Sequence, residues 1–206
     1  MPSSSFEGIR IETTPSVYFP REDSFMLAQA VKKFARGKVL DMGTGSGLQA
    51  ITAAKNPKVT NVTASDVSAT AVQCAENNAK ENQCDMDKIK FIKSNLFENI
   101  PRRDTFETII FNPPYLPAEE NEPLDEQSAA WHGGKDGRKI LEPFLGQFST
   151  FLAPRGLLLL VQSSLNEPDK TISTLAKLGF QVEIVEQKKF FFEELFIYKA
   201  TKLHKL

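Results

Sequence analysis

Short apolar segments with strand character alternate along this chain with segments whose apolar residues recur at helical spacing. The first five predicted strands are residues 38–42, 59–65, 90–93, 106–111 and 157–161. The predicted helices are residues 24–36, 48–55, 68–82, 138–152 and 169–178. Two more strands, at residues 181–186 and 195–198, follow the last helix. Because helices connect successive strands, the pattern predicts a mostly parallel, doubly wound sheet with helices on both faces.

The composition limits the function classes. The chain has 206 residues, 25% of them charged, and a formal net charge of −1, so no global positive field indicates nucleic-acid binding. The two cysteines, Cys74 and Cys84, form no metal-type cluster, which predicts a reduced cytoplasmic protein without a metal site. No apolar run approaches the ~20 residues of a membrane span, and we expect no membrane partner.

A glycine-rich turn follows the first strand at residues 43–47, Gly-Thr-Gly-Ser-Gly. Gly43 and Gly45 let the chain turn tightly and let a ligand approach the backbone. The dinucleotide fingerprint requires its third glycine at position 48, which is Leu48, and the lysine of a phosphate loop is absent. The turn therefore does not indicate phosphate binding, and the alternative is a simple strand-to-helix turn.

Two acidic residues end neighbouring strands beside this turn. Asp41 lies just before the glycine turn, where a carboxylate repels phosphate and attracts an ammonium group. Asp66 follows the second strand, the position that reads a ribose diol in Rossmann-like units. A ligand with an amino-acid end, a ribose and no phosphate fits S-adenosylmethionine, which we predict as the cofactor.

A polar tip, Asn112-Pro113-Pro114-Tyr115, follows the apolar strand at residues 106–111. Open α/β sheets place ligands at such carboxyl ends. Asn112 offers an acceptor oxygen, the prolines have fixed φ and no N–H, and Tyr115 adds a flat face. Acceptors beside an aromatic plate suit a planar –NH₂ group, although the same residues can simply end a strand.

Three segments together, residues 18–25, 41–47 and 112–115, resemble class I S-adenosylmethionine-dependent methyltransferases of the HemK/PrmC type. Residues 131–137, Trp-His-Gly-Gly-Lys-Asp-Gly, resemble the loop of the short archaeal and eukaryotic branch. The resemblance implies a Rossmann-like fold with a seven-stranded, mostly parallel sheet and an antiparallel edge hairpin strand. It also implies a single methyltransferase domain, 1–206, with an N-terminal segment and helix at 1–36 and a core at 37–206.

The family methylates the side-chain amide nitrogen of glutamine in the Gly-Gly-Gln loop of peptide-chain release factors. By this resemblance we predict Asn112, Pro113 and Tyr115 as catalytic residues: Asn112 and Pro113 accept the two N–H bonds, and Tyr115 packs on the amide. Substrate binding is predicted for Asn112, Pro114, Tyr115 and Trp131. Cofactor binding is predicted for Ser24, Asp41, Gly43, Gly45, Asp66, Val67, Asn95, Leu96 and Asn112. Ser24 is also a candidate N-cap, and relatives often have an acid at the position of Asn95.

Two other functions stay open at this stage. Asn-Pro-Pro-Tyr also occurs in adenine amino methyltransferases, but a base substrate usually requires a recognition domain or a basic groove. The chain offers only a small lysine patch, Lys88, Lys90 and Lys93. Five acids lie within residues 119–126 and favour a basic protein loop, the alternative being a solvated acidic loop. The second alternative is a non-catalytic cofactor-binding subunit.

The resemblance also implies a small zinc-binding activator as a partner beside the release factor. His132 is assigned no catalytic role. The Phe190-Phe191-Phe192 run is interpreted as edge packing or an interface.

Overall fold

The structure, a computed structural model, describes residues 3–116 and 133–203. Its strands are, in chain order, β1 (Ser3–Phe6), β2 (Ile9–Glu12), β3 (Gly37–Met42), β4 (Val59–Asp66), β5 (Ile89–Lys93), β6 (Phe106–Phe111), β7 (Leu152–Ser163), β8 (Phe180–Lys189) and β9 (Glu194–Lys202). Its helices are α1 (Glu22–Phe34), α2 (Leu48–Ala54), α3 (Ala69–Glu81), α4 (Leu141–Leu145) and α5 (Pro168–Lys177).

One sheet contains seven of these strands in the order β5-β4-β3-β6-β7-β9-β8. The strands from β5 to β7 are parallel, and β9 runs antiparallel to both β7 and β8. The predicted seven-stranded, mostly parallel sheet with an antiparallel edge is therefore confirmed. The connections reverse direction between β3 and β6, and ligands bind outside the carboxyl ends of the strands at such a switch point.

The inner strands are buried on both faces, which explains their nearly continuous apolar sequences. In β3, Val39 belongs to the cluster packed under α1 and α2, whereas Leu40 and Met42 belong to the cluster under α4 and α5. The β6 strand divides in the same way, with Ile110 on the first face and Phe111 on the second. These two clusters hold the strand ends in a fixed arrangement.

Most predicted element bounds agree with the structure to within a few residues. Ser68 is the N-cap of α3, and its Oγ accepts from the Ala71 backbone N–H at 3.3 Å, as predicted. Gly179, at φ +83°, follows α5 as the predicted stop.

The predicted helix at 138–152 is wrong, because the segment divides into α4 and a 3₁₀ turn at Phe148–Thr150. Pro143 lies within α4, and a proline is tolerated only near the start of a helix because its ring opposes the preceding turn. Gly146, a poor helix former, occupies the C-cap. The short hairpin β1–β2 was not predicted.

Among residues 3–116 and 133–203, no helix combines the length and apolar character that spanning a membrane requires.

Two glycines with nearly equal φ values provide a matched test of the packing beneath the glycine turn. Gly47 has φ +86°, and a Cβ there would lie 2.9 Å from the Cα of Ala75, whereas Gly179 has φ +83° and open space. We expect Gly179→Ala to lower the free energy of unfolding by about 1 kcal/mol through left-handed backbone strain alone. Gly47→Ala adds overpacking and should lower it by about 2–4 kcal/mol. Urea denaturation measures both, and equal losses would contradict the close approach.

Candidate functional site

A cavity of about 550 Å³ opens at the carboxyl ends of β3, β4, β5 and β6. All nine predicted cofactor residues line it: Ser24, Asp41, Gly43, Gly45, Asp66, Val67, Asn95, Leu96 and Asn112. They come from separate parts of the chain and meet because parallel strands end at the same edge of the sheet. Their individual roles remain predictions.

The two acids of this cavity are held by short hydrogen bonds. Asp41 is buried, and its Oδ2 accepts from the Thr44 hydroxyl at 2.6 Å. Burial raises the pKa of Asp41 to about 7, although the bonds from Thr44 and the Ala50 backbone oppose the shift. Asp66 accepts from the backbone N–H groups of Gly45 at 3.0 Å and Ser68 at 2.9 Å.

Burial also raises the pKa of Asp66, while its bonds to backbone N–H groups lower it. Both carboxyl groups are therefore placed where water stabilises their charge poorly. A positively charged or N–H-bearing ligand in the cavity would favour the ionised form of Asp41. A diol would provide two donors to Asp66.

Gln49 is a cavity residue that the sequence reasoning missed. Its side chain is 7% exposed, and its Nε2 donates to the Ser24 carbonyl at 2.8 Å. Its Oε1 is buried and accepts no hydrogen bond from the described residues. An acceptor without a donor at a cavity wall suits a ligand with N–H groups. A glutamine in the first turn of α2 carries no sequence signal for this role.

The far wall is formed where β5 ends. Leu96 has φ +46°, a left-handed conformation that is strained for a branched side chain, and Ser94 Oγ donates to its carbonyl at 2.7 Å. Asn95 donates one N–H of Nδ2 to Glu98 Oε1 at 2.9 Å, which leaves its amide oxygen as an acceptor that it can offer to a ligand. Val67, 63% exposed, adds apolar surface to the same cavity.

A second cavity, of about 640 Å³, lies on the other side of Asn112. Pro113 and Tyr115 line it, and both cavities share Val17, Tyr18, Asn112 and Pro114. We call it the acceptor cavity. Of the predicted catalytic residues, Asn112 thus lies where the two cavities meet, and Pro113 and Tyr115 lie in the acceptor cavity alone.

The orientation of the Asn112 amide follows from its partner. Asn112 Nδ2 donates to Asp23 Oδ2 at 2.8 Å, and Asp23 is 2% exposed. The other oxygen of Asp23 accepts from the Tyr18 hydroxyl and the Ser24 hydroxyl, each at 3.2 Å. Since a carboxylate only accepts, it fixes the NH₂ side of Asn112. Asn112 Oδ1 remains buried and accepts no hydrogen bond within the described residues.

Two phenols flank this arrangement. Burial, reinforced by Asp23, raises the pKa of Tyr18 well above its usual value. Burial likewise raises the pKa of Tyr115. Both hydroxyl groups therefore stay protonated at physiological pH and can act as donors.

The backbone of Tyr115 and Leu116 is held by two parts of the chain, the start of the segment 133–203 and the turn before α5. The Tyr115 carbonyl accepts from Asn166 Nδ2 at 2.6 Å, and the Gly133 N–H donates to the Leu116 carbonyl at 2.8 Å. A Cβ at Gly137 would lie 2.3 Å from the Tyr115 oxygen, so only glycine fits there. The described part of the predicted loop at 131–137 therefore packs behind the polar tip.

Several predicted features fall elsewhere or need correction. Trp131, His132 and the acidic residues within 119–126 lie outside the described residues. Ser24 is not an N-cap: α1 begins at Glu22 after Arg21, and Ser24 lies in its first turn with its hydroxyl directed to Asp23. The cap prediction failed because the helix starts two residues earlier than its apolar spacing indicates.

The sheet order and the paired cavities at its switch point define a class I methyltransferase fold. Residues 11–192 match the family model of the methyltransferase small domain, and the chain belongs to this family.

Similar proteins cover most of the chain. A Methanocaldococcus jannaschii protein with the provisional name protein N5-glutamine methyltransferase is 40% identical over 96% of this chain and 98% of its own length. A release factor glutamine methyltransferase of Deinococcus radiodurans is 30% identical over 86% of this chain but 65% of its own length. This chain therefore spans about two thirds of the bacterial relative.

A solved structure shares the fold. It is the E. cuniculi Mtq2–Trm112 complex responsible for methylation of the eRF1 translation termination factor. The match has a TM-score of 0.69 at 24% identity and covers 91% of this chain and 99% of the other.

The substitution Asp41→Asn should raise the free energy of unfolding and weaken ligand binding. Because the folded-state pKa is raised, the folded wild type binds this proton more tightly than the unfolded chain, and its stability falls as the pH rises from about 4 to 7. Asparagine lacks this loss because its amide does not ionise, and the Thr44 hydroxyl can accept a hydrogen bond from the new amide. At pH 8 we expect the variant to be about 1–3 kcal/mol more stable, with a smaller difference at pH 5.

Urea denaturation at both pH values measures this difference, and calorimetry should show at least ~10-fold weaker cofactor binding by Asp41→Asn. The same stability difference at pH 5 and pH 8 would show that burial does not raise the Asp41 pKa.

Proposed function

We propose that this chain is an S-adenosylmethionine-dependent methyltransferase that acts on the side-chain amide nitrogen of a protein glutamine, in the Gly-Gly-Gln loop of a peptide-chain release factor. The observation that carries the proposal is the oriented Asn112 amide, whose buried Oδ1 accepts no hydrogen bond within the described residues, between two cavities. The names of the archaeal and bacterial relatives support glutamine as the acceptor.

The residues of the first cavity fit the proposed cofactor. Asp66 would accept from the ribose diol, Asp41 and the Gln49 oxygen would accept from the amino-acid end, and Asn95 would accept from the adenine amino group. Gly43 and Gly45, at φ +63° and +53°, leave the backbone open to the ligand. When bound, the cofactor supplies a methyl group on a positively charged sulfur that is a good leaving group.

The difficulty of the reaction lies in the acceptor, because an amide nitrogen shares its lone pair with the carbonyl. Asn112 Oδ1 and the Pro113 carbonyl would each accept one N–H bond of the glutamine amide and fix its plane. Tyr115 would pack on the flat face, and Pro114 would close the wall. These contacts direct the nitrogen lone pair towards the first cavity.

Holding the acceptor in this way has a large effect on rate. Orientation alone contributes up to ~7–11 kcal/mol in well-placed systems. A preorganised acceptor for the charge that develops on nitrogen adds about 3–4 kcal/mol. The Asp23 bond makes Asn112 preorganised, because its amide cannot rotate without losing a partly buried hydrogen bond to a carboxylate.

The adenine alternative is weakened by the lysine patch. Lys88 donates to the Ala54 carbonyl at 2.6 Å and to the Asn56 carbonyl at 3.3 Å, so its ammonium is engaged at the end of α2. Only Lys90 and Lys93 of that patch remain for a phosphate backbone. The non-catalytic alternative is weakened by Asn112, since binding a cofactor alone gives no reason to fix an amide, with its oxygen unpaired among the described residues, where two cavities meet.

We also propose a small zinc-binding activator as a partner and the cytoplasm as the compartment. The complex in the E. cuniculi structure supports the first, and the two free cysteines, Cys74 and Cys84, fit the second. Co-purification with a tagged chain tests the partner, and full activity of the pure chain would argue against an activator.

The central test incubates the chain with labelled cofactor and a release factor, followed by mass spectrometry of the Gly-Gly-Gln peptide. We expect one added methyl group on the glutamine. Asn112→Ala should lower turnover at least ~100-fold and leave cofactor affinity within about threefold, a difference below ~1 kcal/mol.

A parallel reaction with adenine-containing DNA and RNA tests the alternative. Methylation of adenine without glutamine, or near-normal turnover by Asn112→Ala, would overturn the proposal.

Asp23→Asn tests the orientation of Asn112. An asparagine at position 23 can donate as well as accept, so it no longer selects one rotamer of the Asn112 amide. We expect kcat to fall by ~10–100-fold, about 1.4–2.7 kcal/mol of transition-state stabilisation. The cofactor dissociation constant should change little.

Loss of the hydrogen-bonded NH₂ signal of Asn112 in nuclear magnetic resonance spectra reports the freed amide. Asp104→Asn, outside both cavities, is the control and should change neither quantity.

A further inference from the structure

Two adjacent phenylalanines project from the turn between β8 and β9. Phe191 is 91% exposed and Phe192 is 85% exposed, and their rings meet edge to face with centroids 4.6 Å apart. Isolated apolar residues are common on protein surfaces, but each aromatic ring can bury ~150–250 Å² on binding. Two neighbouring rings held together in water are a candidate contact surface, which we call the aromatic tip.

The turn that carries the aromatic tip is fixed at its base. The Phe190 N–H donates to the Glu193 carbonyl at 2.8 Å, and the Ser163 hydroxyl donates to Glu193 Oε2 at 2.9 Å. Ser164 exchanges two bonds with Glu194, through its backbone N–H at 2.8 Å and its hydroxyl at 2.9 Å. The rings therefore extend from an ordered base, which lowers the conformational entropy that this turn loses when a partner binds.

The aromatic tip is continuous with the acceptor cavity. Phe190 and Glu193, the residues directly before and after the tip, line that cavity, and so does Leu195 on the same hairpin. Asn112, Pro113 and Tyr115 line its inner wall. Anything that covers the tip consequently lies beside the entrance through which the acceptor must reach Asn112.

We propose that Phe191 and Phe192 are a docking surface for the protein that carries the acceptor glutamine. The inference rests on the proposed function and adds a recognition site outside the chemical centre. The location of the aromatic tip beside the acceptor cavity favours a substrate protein as the occupant. A membrane, a second copy of this chain or a permanent subunit on the tip would crowd the entrance, whereas a substrate protein delivers the acceptor from the same side.

The tip also indicates what its partner surface must offer. Two rings require an apolar or guanidinium-bearing patch beside the glutamine loop. Lys188 lies 5.3 Å from the centre of the Phe190 ring, so aromatic and cationic groups already stack at this end of the hairpin. Such a contact lies outside the reach of a short peptide around the glutamine, which can fill the acceptor cavity alone.

The test compares the wild type with the double variant Phe191→Ser and Phe192→Ser. Both side chains are exposed, so the fold should persist. Leu203→Ser, at a 57% exposed residue beyond the opposite end of the hairpin, is the matched control. Substrates are an intact release factor and a short Gly-Gly-Gln peptide. We expect kcat/KM on the intact protein to fall at least ~10-fold with kcat within about twofold. Peptide kinetics and the control should not change.

Each other outcome overturns the inference. Unchanged kinetics on the intact protein would exclude docking, and an equal loss on the peptide would place the rings in the chemical step. Wild-type binding to anionic vesicles, or a dimer in light scattering that the double variant abolishes, would assign the tip to a membrane or a second copy. If the wild type modifies no glutamine, the proposed function itself fails, and with it the stated occupant.

Discussion

The hydrogen bond between Asp23 and Asn112 ties the functional site together. It joins the first turn of α1 to the residue after β6, and so connects the helix that covers one face of the sheet to the switch point. Bonds to charged groups contribute about 1.5–3 kcal/mol, and breaking a buried one leaves both partners unsatisfied. Asn112 lines both cavities, and the bond decides which atom of its amide is left without a partner among the described residues. This hydrogen bond therefore both joins α1 to the end of β6 and fixes the orientation of the Asn112 amide.

Other groups at the same edge of the sheet reduce stability. Asp41 is buried with a raised pKa, Gln49 has an acceptor without a described donor, and Leu96 is in a left-handed conformation. A buried unsatisfied group costs about 1–3 kcal/mol, and a strained residue costs a similar amount. The apolar strands beneath, buried on both faces, offset these costs. A ligand with N–H groups can supply the donor that Gln49 lacks, which is expected of a binding site.

The parts of the site at the ends of strands could be predicted from the sequence. Asp41, Asp66 and Asn112 each lie within one residue of the carboxyl end of an apolar strand, and parallel topology brings those ends together. Asp23 and Gln49 could not be found in this way. They lie in the first turns of helices, where polar residues ordinarily face water, and only the packing of α1 and α2 against the sheet buries them.

The same contrast holds for the fold. Alternating strand and helix patterns suffice for a mostly parallel sheet, because crossover helices leave few other arrangements. The segment at 138–152 kept its helical apolar spacing, but Pro143 and Gly146 confined the helix to five residues. Periodicity reports which side chains face the core, and it does not report whether the backbone between them can continue its hydrogen bonds.

Selectivity is the step that the chemical centre cannot provide by itself. A glutamine amide and an adenine amino group both present a planar nitrogen with two N–H donors, and Asn112 with Tyr115 would accept either. Discrimination therefore depends on what surrounds the acceptor cavity. An aromatic tip on a fixed turn suits a partner that is itself folded, because a rigid surface pairs best with another rigid surface. A flipped base would instead require cations along its backbone, and Lys88 is engaged at α2. The surface around the acceptor cavity, more than Asn112 and Tyr115, thus favours a protein acceptor.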